Sequence, residues 1–201
     1  MDFDIYSFRN AELIFKHDSC YNNLWNEVYS TLINISDDEL ISTYNNITRK
    51  NKKSLSEPIN KLIDMKLVEK GWNRQSPIFS SPEYRNDKTH WWTLDFSKEE
   101  IAVEVAFNHG EAVAWNLIKP VLSSELNHVQ KEIQTSAGII ITAKNELRKD
   151  GNFDGAAGTY EKFLSYLNPF QNFLTVPMII IGLKSPSSFY IDKGTKEIVY
   201  R

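Results

Sequence analysis

The chain has one cysteine, no long apolar run and no surplus of positive charge, and each shortage removes a class of protein. Cys20, standing alone, excludes an internal disulfide and any cysteine-rich zinc site; it fits a reducing cytoplasm and is expected to be a partly buried, inert thiol. No stretch approaches the ~18 apolar residues of a membrane span. Met1-Asp2-Phe3-Asp4 lacks the basic-then-apolar order of a signal peptide, so a cytoplasmic protein with no membrane partner is expected. A formal net charge of −3 speaks against indiscriminate nucleic-acid binding, yet leaves room for a locally basic cleft. Internal repeats and low-complexity segments are absent.

What is present suits one substantial core. At 201 residues, 41% hydrophobic and 12% aromatic, residues 1–201 are expected to form a single domain with no disordered tail. Leu24, Trp25, Val28, Tyr29, Leu32 and Ile33 recur at helical spacing and predict a helix over 21–35. Asp37/Asp38 are candidate caps for a short helical stretch through Leu40 and Ile41. Ser56-Glu57-Pro58 opens a helix with the stripe Ile59, Leu62, Ile63, Lys66 and Leu67, which Gly71 stops. Residues 73–90 read as a loop. Gly110–Lys119 reads as a helix that Pro120 interrupts or restarts. Ala137–Thr142 and Val176–Leu183 are short, β-branched and apolar, as buried strands are, with a long polar connection over 144–158 and a helix carrying Tyr160, Phe163, Leu164 and Leu167 between them. Phe189–Tyr200 reads as a hairpin. The fold class is therefore α/β, a mixed sheet flanked by helices.

Candidate chemistry lies in Trp92–Phe107, where two alternating runs surround the polar link Ser97-Lys98-Glu99-Glu100. Alternation gives Trp92, Leu94, Phe96, Ile101, Val103, Val105 and Phe107 one face, and Thr93, Asp95, Ala102, Glu104, Ala106 and Asn108 the other. With Phe96 opposite Ile101, Asp95 lies diagonal to Glu104, within reach of a shared ligand. Two carboxylates side by side suit a hard divalent cation. Carboxylates on the polar face of a hairpin are more often simply solvated, and spacing does not decide between the two. Two basic runs, Arg49-Lys50-Asn51-Lys52-Lys53 and the smaller Arg148-Lys149, are each either a phosphate track or a solvated loop.

Five strings in order break the tie. Asn23-Leu24-Trp25-Asn26-Glu27-Val28, Lys66-Leu67-Val68-Glu69-Lys70-Gly71-Trp72, Asp95 followed by Glu104-Val105-Ala106-Phe107, Ser124-Glu125-Leu126, and Gly158-Thr159-Tyr160-Glu161 with Val176-Pro177-Met178-Ile179-Ile180-Ile181-Gly182 run through most of the chain. Together they resemble the type II restriction endonucleases of the BglII/BstYI family and, more distantly, BamHI, within the PD-(D/E)xK nuclease superfold. The resemblance implies a restriction-endonuclease-like mixed sheet and a Mg²⁺-dependent, sequence-specific cut in double-stranded DNA that leaves 5′-phosphate ends. It implies a homodimer gripping a palindrome, centred on GATC by family default. Asp95 and Glu104 would be the catalytic metal ligands, joined by the backbone carbonyl of Val105. Asn73 or Gln75 would be the accessory polar residue after the second helix. Arg148, Lys149, Asn152 and Asp154 in the 145–158 loop would contact DNA bases, and residues 116–125 would supply dimer or groove contacts. One departure matters. Two residues after the glutamate, the closest relatives carry glutamine and the wider superfold lysine, but here stands Ala106. Either Asn108 or His109 acts from a shifted position, or metal-bound water needs no side-chain base, or the protein is a catalytically weakened or inactive DNA-binding relative.

Overall fold

The computed structural model describes the chain except for residues 48–53, 87–88, 90 and 126–127, so the basic run Arg49–Lys53 and Leu126 lie outside the described residues. Strands β1 (Phe3–Phe8), β2 (Asn73–Pro77), β3 (Thr93–Lys98), β4 (Ile101–Val105), β5 (Ala137–Ala143) and β6 (Met178–Leu183) form one sheet in the order β1-β6-β5-β4-β3-β2. The β4, β5 and β6 strands run parallel; β1 adds to β6, β3 to β4 and β2 to β3 antiparallel. A separate hairpin joins β7 (Phe189–Ile191) to β8 (Ile198–Tyr200). This is the expected mixed sheet flanked by helices.

Both faces of the sheet are covered, which explains why β5 and β6 read as unbroken apolar runs and every residue in them is buried. Ile139, Ile141, Ile179, Ile181 and Leu183 face a large core built with helices α1 (Ala11–His17), α2 (Ser19–Ile33), α3 (Asp37–Asn45), α4 (Ser56–Glu69) and α7 (Asn145–Asp150). Ile140, Met178 and Ile180 face a second core under α6 (Val113–Ser124) and α8 (Tyr160–Leu167). Each buried isoleucine contributes roughly 1.5–3 kcal/mol.

Local chemistry sets the helix limits. Ser36, and neither Asp37 nor Asp38, caps α3: its hydroxyl accepts from the Glu39 N–H while the Glu39 carboxylate accepts from the Ser36 N–H, a reciprocal capping box. α4 ends where Gly71 takes a left-handed φ of 81°, a conformation a side chain would strain. Behind it, the Glu27 carboxylate on α2 accepts from the Trp72 indole at 2.8 Å and from the Lys98 ammonium at 2.9 Å, clasping α2 to the end of β3.

Several expectations are corrected. The segment 73–90 is not all loop: it holds β2 and the single-turn α5 (Pro82–Arg85). Neither β1 nor α1 was expected. Pro120 does not interrupt α6; the helix begins after a 3₁₀ turn (Gly110–Ala112) and runs through it. The 144–158 connection contains α7. Cys20 is exposed, because it sits in the solvent-facing first turn of α2.

Candidate active site

β3 and β4 are joined by a tight turn whose Glu99 takes a left-handed φ of 47°. The pairs are Lys98 with Ile101, Ser97 with Ala102 and Phe96 with Val103. The expected register, Phe96 opposite Ile101, is therefore two residues out, because Ser97 and Lys98 belong to the strand and not the turn. One step past the last pair, Asp95 falls directly across from Glu104. There the ladder stops. The Asp95 carboxylate (Oδ2) accepts the Val105 N–H at 2.8 Å, and the Glu104 carboxylate (Oε1) accepts the Asp95 N–H at 3.3 Å. β3 and β4 thus part at a pair of carboxylates that stand in for the ladder acceptors. Beyond the parting, Leu94 and Trp92 leave the main core face and pack with Ile78, Phe79 and Ala102 in a small cluster of their own.

Charge at this point is unusual. Glu104 is 1% exposed. Burial, then repulsion from Asp95, push its carboxyl up to about 8, against the pull of the Lys119 ammonium. Burial also raises the Asp95 carboxyl, opposed by Lys119 and the Val105 N–H. Lys119, on α6, has a side chain only 10% exposed and sets its Nζ 2.7 Å from Glu104 Oε2. One cation faces two carboxylates, so the cluster keeps a negative balance when both are ionised. Sequence reasoning missed Lys119.

The seat of Lys119 depends on a glycine. A Cβ on Gly138 would lie 2.7 Å from Pro120 Cβ, so its absence lets α6 press against β5 beside Glu104. One turn earlier, the buried Asn116 donates from Nδ2 to Asn108 Oδ1 at 3.1 Å. Lys119, Asn116 and Asn108 line a cavity of about 250 Å³ with Thr89, Trp91, Ala112 and Trp115. Trp91 and Trp115 meet edge-to-face with ring centres 5.4 Å apart.

The other expected residues separate into those near the carboxylates and those farther off. Gln75, exposed and left-handed (φ 50°), occupies the β2 position opposite Asp95, between the pairs Arg74–Phe96 and Ser76–Leu94. Asn73 pairs with Ser97 and lies farther along. Ala106 is buried in the second core, its space taken by apolar neighbours. Asn108 is held by Asn116, and the 66%-exposed His109 side chain sits 3.5 Å from Asp154. His109 also bridges Ala157, the Gly158 N–H reaches Asn108 O at 2.9 Å, and the Thr142 hydroxyl donates to Ala106 O at 2.9 Å. The 152–158 loop is thereby fastened to the chain leaving β4. Arg148, on α7, donates to Gly155 O at 3.0 Å and Asp154 accepts the Ala156 N–H, so both shape the loop; Lys149, also on α7, is exposed, and Asn152 accepts from Lys196 at 3.4 Å. Residues 116–125 are mostly turned into the sheet, so Asn116 works inside the molecule.

Two carboxylates in a low-dielectric notch, partly compensated by one lysine, fit a hard divalent cation bound through few protein ligands. Among the described residues no cluster of three or more His, Cys, Asp or Glu side chains is assembled, so the rest of a coordination shell would come from backbone, water and substrate oxygens.

No curated protein sequence matches the chain. A crystal structure of the restriction endonuclease BglII complexed with a DNA 16-mer superposes with a TM-score of 0.67 at 22% identity, over 100% of this chain and 88% of that one. Free BglII superposes with a TM-score of 0.54 at 18% identity, over 100% and 90%. The model of the restriction endonuclease BglII/BglIII family matches residues 3–183, and the chain belongs to that family.

Proposed function

We propose that this restriction endonuclease is a Mg²⁺-dependent type II enzyme that hydrolyses both strands of double-stranded DNA and leaves 5′-phosphate and 3′-hydroxyl ends. Asp95 and Glu104 hold the metal, with the Val105 carbonyl beside them. When bound, Mg²⁺ supplies charge relief at the phosphate and a more acidic water. The single observation that supports this is the pair of carboxylates facing one another where β3 and β4 part, backed by burial that makes each costly to keep ionised alone. Residues 1–201 act as one cytoplasmic domain, and two copies form the homodimer that a palindromic site requires. Among the described residues no helix is long and apolar enough to cross a membrane.

Base reading falls to the loop after β5, where Arg148, Lys149, Asn152 and Asp154 offer donors and acceptors of the kind that recognise guanine, adenine and cytosine edges. The GATC-centred palindrome is the working target. The BglII complex with a 16-mer, which shares the fold, supports DNA as the partner. Gln75, opposite Asp95, is better placed than Asn73 for the accessory role.

Ala106 favours a second reading, a DNA-binding protein that no longer cuts. Supercoiled plasmid with Mg²⁺ separates the two. Discrete linear fragments, whose sequenced ends also give site and stagger, support the nuclease; tight site-specific binding without nicking supports the alternative. Asp95→Ala and Glu104→Ala should each abolish cleavage while sparing or strengthening DNA binding, and unchanged cleavage in both removes the pair from the site.

A further inference from the structure

Ala106 leaves a role without a side chain, and neither neighbour suggested by sequence turns inward to take it. Asn108 is engaged by Asn116, and His109 is largely solvent-exposed beside Asp154. Lys119 is differently placed. Burying an ammonium costs several kcal/mol, so lysine is rarely enclosed unless a partner or a task holds it. Here it is enclosed against Glu104 at 2.7 Å and at the same time lines the cavity walled by Trp91 and Trp115. Its Nζ is bound by a carboxylate, and the residue also borders a space of about 250 Å³, room enough for a phosphate. The helix that carries it is brought in by the close approach of Pro120 to Gly138.

We infer that Lys119, delivered from α6, is the third catalytic residue and replaces the polar side chain missing at Ala106: its ammonium contacts the scissile phosphate and the attacking water. The inference rests on the nuclease reading above. In the step it serves, water oxygen bonds to phosphorus, the bond from phosphorus to the 3′-oxygen breaks, the water's proton leaves to solvent, and the 3′-oxygen takes a proton to become hydroxyl. Lys119 supplies positive charge and donors where negative charge grows. Asn108 and Asn116, bonded to each other, line the same cavity.

The test compares wild type, Lys119→Met, Lys119→Gln and Asp95→Asn in three measurements. These are single-turnover cleavage with Mg²⁺, DNA affinity in Ca²⁺ by anisotropy, and Mn²⁺ affinity by calorimetry without DNA. Lys119→Met should cut about 10²–10³-fold more slowly, as loss of one charge-stabilising donor does. Its Mn²⁺ affinity should hold or rise, because a competing cation has gone, and its DNA affinity should stay within about tenfold of wild type, the change one lost phosphate contact brings. Lys119→Gln, which can still donate to Glu104 but carries no charge, should slow cleavage to a similar degree. If Lys119→Met fails to fold, Lys119→Gln decides: folded with wild-type cleavage overturns the inference. Wild-type cleavage in Lys119→Met, with Asp95→Asn inactive, overturns the role of Lys119 and leaves the nuclease reading intact. A wild type that neither cuts nor binds Mn²⁺ overturns the nuclease reading, and the inference falls with it.

Discussion

Metal affinity at the Asp95–Glu104 pair should depend steeply on pH, and the slope follows from burial. With its carboxyl pushed up to about 8, Glu104 holds a proton at neutral pH that an exposed glutamate would have lost. A metal ligand must be ionised, so binding competes with that proton. Two units below the raised value about one molecule in a hundred carries the ionised group, and each unit corresponds to about 1.36 kcal/mol. Apparent Mn²⁺ affinity should therefore climb about tenfold per pH unit from pH 6, roughly a hundredfold in all, and flatten above pH 8. Asp95, shifted the same way, steepens the acid end. Calorimetry in buffers of different ionisation enthalpy should record close to one proton released per ion at pH 6 and almost none at pH 9.

The same shift acts on the metal-free fold, with a definite sign. Between the ordinary glutamate value of 4.5 and about 8, the folded chain binds a proton that the unfolded chain does not. Stability from this group is fully present below the lower value and is lost as pH rises through the upper one. The melting temperature without metal should fall between pH 6 and 9, and saturating Mn²⁺ should lessen the fall. Glu104→Gln should take away a ligand, and with it most of the affinity and the share of the slope that Glu104 supplies. An Mn²⁺ affinity that is flat from pH 6 to 9 in the wild type would refute the assignment of Glu104 as a buried ligand.

Three substitutions test the scaffold. Gly138→Ala places a Cβ 2.7 Å from Pro120 Cβ and 3.0 Å from Met178 Cγ, and should cost about 1–3 kcal/mol in urea denaturation while slowing cleavage, since α6 must move and Lys119 with it. Unaltered stability would show that the close approach does not seat the helix. Glu27→Ala strips the shared acceptor from the Trp72 indole and the Lys98 ammonium and should destabilise by about 1–2 kcal/mol, towards the low end because the lysine is partly exposed. Glu99→Gly removes a left-handed strain of about 1–2 kcal/mol at the β3–β4 turn but adds up to about 1 kcal/mol of unfolded-state entropy, so a net gain of about 0.5 kcal/mol is expected from the same denaturation.

The parts of the fold that announce themselves in the sequence are those whose own residues supply the burial. Leu24, Trp25, Val28 and Leu32 mark α2, and the isoleucine runs mark β5 and β6, because each segment owns its apolar surface. β2 does not: Asn73-Arg74-Gln75-Ser76-Pro77 has no apolar alternation, and it is a strand only because β3 offers it an edge. β1, with Asp4 and Ser7 among its six residues, shows too little apolar alternation to announce a strand until β6 pairs with it, and α1 is too short for periodicity to emerge. The hairpin of β3 and β4 was visible, but its register was not, since Ser97 and Lys98 look like turn residues. Ser97 is in fact a buried strand residue bonded to Ser76, and Lys98 is held by Glu27.

The site divides along the same line. Asp95 and Glu104 could be paired from the sequence because one turn connects their strands, and even a register wrong by two kept them neighbours. Lys119 could not be paired, for its contact depends on how closely α6 approaches β5, and that is set by a missing Cβ at Gly138, well away from either partner in sequence. One signal was available. Lys119 is the sole charged residue between Glu111 and Glu125, in a segment that is otherwise apolar enough to be buried. An ammonium carried into a sheet–helix interface needs a carboxylate there, and a sheet whose one buried acid is Glu104 offers few places to find it. A lone cation in an apolar helix is thus a pointer to an acid buried beneath it, and here that pointer leads from Lys119 to Glu104.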